Sequence, residues 1–140
     1  MKTNKLIVAG LIGSIVHFFL GWIVYGILLM NTMQSHTNQS IFRKDDEMIF
    51  WSIIAGSLCF GFLLSYILEK SNVTGLKNRT SLSVFVGLLM AAYINFSSFG
   101  TSTVYSDIVG VLTDTLAGGL VAGFTGWVIS LYLDKSANNK

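Results

Sequence analysis

The chain has 140 residues, 52% hydrophobic and 11% charged, with a formal net charge of +2. A mean hydropathy of +0.64 excludes an ordinary water-soluble domain, whose polar residues must cover its outside. The positive charges are scattered over short connectors, so no basic patch for nucleic acid forms.

Four apolar runs carry the fold. Leu6 to Met30, Met48 to Leu68 and Leu82 to Gly100 hold no Asp, Glu, Lys or Arg, and Ile108 to Leu133 holds only Asp114. A bilayer core about 30 Å thick needs about 20 residues of helix at about 1.5 Å each. Runs of about 25, 21, 19 and 26 residues therefore all span it. The sequence predicts an all-α polytopic membrane protein: one domain over residues 1–140, an antiparallel bundle of four transmembrane helices at about 6–30, 48–68, 82–100 and 108–133.

The first run comes after Lys2 and Lys5, as a signal peptide would, but is longer than the apolar region of such a leader and continues to Met30, so it reads as a retained helix. His17 lies near its centre on the face of Gly10, Ser14 and Gly21. That face is expected to point inward, towards Asn95 or a hydroxyl on a neighbouring helix. Two roles stay open for His17, a hydrogen-bonded structural residue or a proton relay and ligand contact.

The connector from Asn31 to Glu47 ends in Asp45, Asp46 and Glu47. Adjacent side chains on a helix diverge by about 100°, and a calcium loop alternates its ligands around a glycine turn. The three acids read instead as negative charge for the start of the second helix. His36 has no paired ligand in sequence, and no metal site and no cofactor are expected.

In the second run Cys59 is the single cysteine, so an intrachain disulfide is excluded; it reads as a small packing residue. Because lipid removes the hydrophobic drive between helices, small residues must let backbones approach. Ser57, Gly61 and Ser65 form such a stripe here, and Ser83, Gly87, Ala91 and Asn95 form one in the third run. The fourth carries Asp114, Gly118, Ala122, Gly126 and Ser130, with Gly119 and Gly123 on an adjoining face. One face can serve the bundle and the other a second protomer, or both can serve the bundle. The chain has no proline, so no span carries a proline kink.

Asp114 is the one acid within a run, and it either caps the fourth helix or sits about 9 Å inside it. In the second case Asp107, Asp114 and Asn95 would surround an outward-facing polar vestibule, where a carboxylate could couple protons or attract a cation. Lys2, Lys5, Lys70, Lys77, Arg79, Lys135 and Lys140 fall on one side of the bundle, and Arg43 and Lys44 on the other. By the positive-inside rule both termini are cytoplasmic, in a bacterial inner membrane. Trp51 and Tyr105 read as aromatic anchors at the outer face, Tyr66 and Tyr132 at the inner.

The segments "FFLGWIVYGILL", "GLLMAAYINFSSF" and "TDTLAGGLVAGFTGW" resemble an uncharacterised, domain-of-unknown-function family of small bacterial four-span membrane proteins. That resemblance implies a four-helix inner-membrane fold and no known reaction. The shorter "NFSSFGTST" is similar to the phenylalanine-rich break of small dimeric fluoride channels, implying a pore role for Asn95, Phe96, Ser97 and Phe99. The arginine that ends that family's glycine-rich first-helix stretch is missing between Gly10 and Gly21.

The chain has no phosphate-binding glycine loop with a lysine, no nucleophile elbow and no zinc helix. The expected function is therefore non-enzymatic: an accessory or interaction protein in the lipid bilayer, with a homodimer or another membrane protein as partner. A small homodimeric ion or solute transporter or channel, its outward vestibule lined by His17, Asn95 and Asp114, is the alternative.

Overall fold

In hydrocarbon a backbone can satisfy its N–H and C=O groups only internally, so apolar runs of this length fold as helices. The computed structural model describes residues 3–138 and shows them as α1 (Thr3–Ile23), α2 (Met30–His36), α3 (Phe50–Lys70), α4 (Leu76–Thr101) and α5 (Ile108–Asn138). Lys2 and Lys140, counted above for orientation, lie outside the described residues. A π-helical turn, Val24–Leu28, prolongs α1, and 3-10 turns occupy Gln39–Ile41 and Asp45–Glu47.

Among the described residues four helices are long and apolar enough to cross a membrane: Asn4–Leu28, Phe50–Lys70, Leu76–Thr101 and Ile108–Ser136. The protein is a four-helix membrane bundle. The third span starts at Leu76 rather than Leu82 because Lys77, Asn78 and Arg79 continue the helix; the break comes at Gly75, whose φ of 83° glycine alone adopts without strain. The acids at 45–47 form a turn of their own, and α3 begins after them at Phe50 without a side-chain cap.

Helix α5 is the axis of the bundle, with 56% of its span buried against 17–28% for the others. It packs along α4 on one side and α1 on the other, and α3 packs chiefly on α1. The α4–α5 seam is a run of close approaches. A Cβ on Gly87 would stand 2.2 Å from that of Ala122, one on Gly118 2.7 Å from that of Ala91, and one on Gly126 1.8 Å from the Ser83 hydroxyl. Gly119 and Gly123 meet Leu88 and Val84 of α4, so both glycine faces of α5 serve this one seam.

On the α1–α3 seam Gly61 admits the Ser14 backbone and Gly10 faces the Phe62 ring, while Gly13 faces Ile129 of α5. Gly21, expected on the same stripe, meets nothing within 4 Å, and neither does Gly56. Between the two helices His17 and Phe60 pack with their rings tilted, at 4.4 Å between centroids. Cys59, expected to pack inside, is exposed on the outer side of α3.

Ala9, Leu64, Leu68, Ile129 and Leu133 form the buried core, near the end that carries the termini. That end is also tied by Arg79 to Asp134 at 2.5 Å and Lys5 to Glu69 at 3.8 Å. The opposite end carries a cap, in which α2 and the segment after it lie against the α4–α5 connector. Asn38 N–H donates to the Val104 carbonyl and Ser106 N–H to that of His36, both at 2.9 Å.

Candidate functional site

The cap fixes the start of α5. The Asp107 carboxylate accepts the Gly110 N–H at 3.0 Å, which satisfies one of the unpaired amides of the first turn and makes Asp107 the N-cap. Its other oxygen accepts from His36 Nδ1 at 2.7 Å. Gly110 is required there: a Cβ would stand 2.7 Å from the His36 carbonyl oxygen. The His36 hydrogen bond, and after it that from Gly110, holds the Asp107 carboxyl below its ordinary range.

With Asp107 at the N-cap, Asp114 cannot cap the helix; it lies about 9 Å beyond Ile108, the first helical residue. The Tyr25 hydroxyl donates to Asp114 Oδ1 at 2.5 Å, and the Tyr105 hydroxyl donates to Oδ2. Tyr25 belongs to the π-helical turn, closed by Leu29 N–H on the Val24 carbonyl at 2.8 Å. The extra residue in that turn rotates the end of the first span relative to a continuous α-helix. Tyr105 is gripped by the bridge that pairs it with Thr37. Burial, then the bond to Asp114, raises the pKa of its hydroxyl. Tyr105 is therefore not the interfacial anchor expected from sequence: it is 8% exposed, whereas Trp51 is 73% exposed.

The remaining deep polar groups turn elsewhere. Asn95, buried on α4, donates to the Thr115 hydroxyl at 3.2 Å. His17 Nδ1 lies 3.5 Å from the Ser57 hydroxyl on the α1–α3 seam, so it meets a neighbouring hydroxyl and not Asn95. His17, Asn95 and Asp114 thus each have a separate hydrogen-bond partner. Asp107 and Asp114 share the cap end, bridged through Tyr105 and the strand-like pairing around His36. Among the described residues, no three of His, Cys, Asp and Glu come close enough to hold a metal ion.

The chain matches none of the protein-family models, curated proteins or solved structures compared with it.

Tyr25, Tyr105, His36 and Thr115 are the partners that sequence reasoning missed. A π-helical turn has no signature in a uniformly apolar run, so the direction of Tyr25 was hidden. Tyr105 carried a signal that favoured the wrong reading, because a tyrosine beside a span end is usually an anchor.

Chemically, the cluster is a carboxylate with both oxygens engaged by phenol donors. It joins three pieces that the fold brings together: the far end of the first span, the α4–α5 connector and the second turn of α5.

Proposed function

We propose that this chain is a non-enzymatic accessory or interaction protein of a bacterial inner membrane, with both termini in the cytoplasm. The observation that carries the reading is that the ionisable and amide groups at membrane depth are each paired within the chain: Asp114 with Tyr25 and Tyr105, Asn95 with Thr115, His17 with Ser57. Groups so engaged act as fastenings between helices. The excess of Lys and Arg on the side of the termini supports the orientation.

The surface for a partner is the cap half of α1 and α3. A Cβ at Gly21 or Gly56 would meet nothing within 4 Å there, and Trp22, Phe50 and Trp51 of the same helices are exposed. Open glycine positions on these helices suit close approach by another membrane helix.

The test is a photo-crosslinking residue in place of Trp51 in native membranes. One discrete adduct with a second membrane protein is expected, lost in Gly21→Leu/Gly56→Leu, which has room to fold. Adducts with lipid alone would overturn the reading.

A small homodimeric transporter or channel is the second reading, favoured by one feature, the π-helical turn that aims Tyr25 at Asp114, since such turns recur at functional sites. It requires ion or proton flux from purified protein in liposomes, abolished by Asp114→Asn. The accessory reading requires flux no greater than that of empty vesicles.

A further inference from the structure

An apolar groove of about 390 Å³ runs along the outer side of the α4–α5 seam, lined by Thr80, Val84, Leu120, Gly123, Phe124 and Trp127. Gly123 keeps it open, since a Cβ there would stand 2.5 Å from Val84 Cγ2. Phe124 and Trp127 form one wall, packed edge to face with ring centroids 6.5 Å apart. The polar side-chain groups of the lining residues are the Trp127 indole N–H and the Thr80 hydroxyl, which donates to the Leu76 carbonyl at 2.8 Å. The surface offered is therefore hydrocarbon, and it faces the membrane.

The charges at the end of the groove say what fills it. Lys77 precedes Thr80 and Val84 by about one and two helical turns, and Lys135 comes about three turns after Phe124, so each lysine shares a helix face with the groove lining. Both are exposed, and both lie where α4 and α5 leave the membrane beside the termini. The neighbouring charges cancel: Arg79 is bound to Asp134 at 2.5 Å. Among the described residues neither Lys77 nor Lys135 has an ion-pair partner. The mouth of an apolar groove thus carries two uncompensated positive charges at headgroup level.

We propose that this groove is a binding site for an anionic phospholipid, with one acyl chain lying along Val84, Gly123 and Phe124 and the phosphate held between Lys77 and Lys135. The apolar lining accepts the chain of any phospholipid, and the paired lysines select the anionic headgroup. The inference does not rest on the accessory reading and holds equally for a transporter.

Trp127 reports on the site directly. In Trp22→Phe/Trp51→Phe it is the one tryptophan left, and both replaced residues are exposed. The protein is reconstituted in phosphatidylcholine vesicles containing a small fraction of lipid with brominated chains, which quench tryptophan on contact. Brominated phosphatidylglycerol is expected to half-quench Trp127 at a lipid fraction about tenfold lower than brominated phosphatidylcholine needs. In Lys77→Gln/Lys135→Gln, checked by circular dichroism, that difference disappears while quenching by phosphatidylcholine stays. Equal quenching by both lipids in the parent overturns the proposal. So does weak quenching by both, which would mean that a second protein chain fills the groove.

Discussion

A carboxylate about 9 Å inside a membrane helix is tolerated only when its oxygens are occupied, and Asp114 meets that condition through two phenols drawn from distant segments. Hydrogen bonds between membrane helices contribute about 0.6 kcal/mol on average and up to about 1.7. Tyr25→Phe should therefore lower stability by about 1 kcal/mol, measured by thermal unfolding in detergent. Asp114→Ala, which orphans both hydroxyls, should cost more than twice as much. In the double variant Tyr25→Phe/Asp114→Ala the tyrosine change should add almost nothing, because its acceptor is already gone. Asp107 gives a separate prediction. Its carboxyl is held below its ordinary value of 3.8 in the folded chain. A group depressed in this way contributes stability above its unfolded pKa and loses it as the pH falls through the folded one. The melting temperature should thus drop on acidification below about pH 4, and Asp107→Asn, which keeps the N-cap, should flatten that acid limb.

At the scale of the helix, seams are set by which small residues face backbone and which face space. Alanine at Gly61 would place its Cβ 2.4 Å from the Ser14 backbone nitrogen, where no side-chain rotation gives relief. Gly61→Ala should cost about 1–3 kcal/mol through overpacking. Gly21→Ala, with nothing within 4 Å, should cost none and serves as the matched control in the same unfolding assay. The four spans were legible because length and hydropathy decide them, and so was the inward stripe of α5, whose four-residue spacing forces Gly118, Ala122 and Gly126 onto one face. The partner of each stripe was not legible. Gly119 and Gly123 read equally well as a dimer face until Leu88 and Val84 filled them, and Gly21 shares the stripe of Gly10 although a Cβ on it would meet nothing within 4 Å. The candidate site was half legible: depth and charge singled out Asp114 and Asp107, but their donors come from a π-helical turn and a connector that no periodicity describes.

Across the whole molecule, the two ends are held by different means. The end with the termini has the buried core of Ala9, Leu64, Leu68, Ile129 and Leu133, reinforced by ion pairs that tie α1 to α3 and α4 to α5. At the cap end the buried apolar residues are Tyr105 of the connector and Val111 of α5, and α3 has no buried residue before Ser57. There, two backbone bonds hold the cap to the α4–α5 connector and the side-chain bonds of Tyr25, Tyr105 and His36 reach Asp114 and Asp107, while residues Phe50 to Ile54 of α3 are exposed. Local opening tracks the loss of packed apolar contact, so α3 should loosen from its cap end and stay closed at Leu64 and Leu68. Hydrogen exchange on protein in nanodiscs checks this: amides of residues 52–56 should exchange faster than those of 62–68. Tyr105→Phe should accelerate exchange in α2 and at the start of α5 while leaving residues 62–68 unchanged, because its bond to Asp114 fastens the cap and not the core. Acceleration spread evenly over all four spans would instead mean that the bundle opens as a single unit.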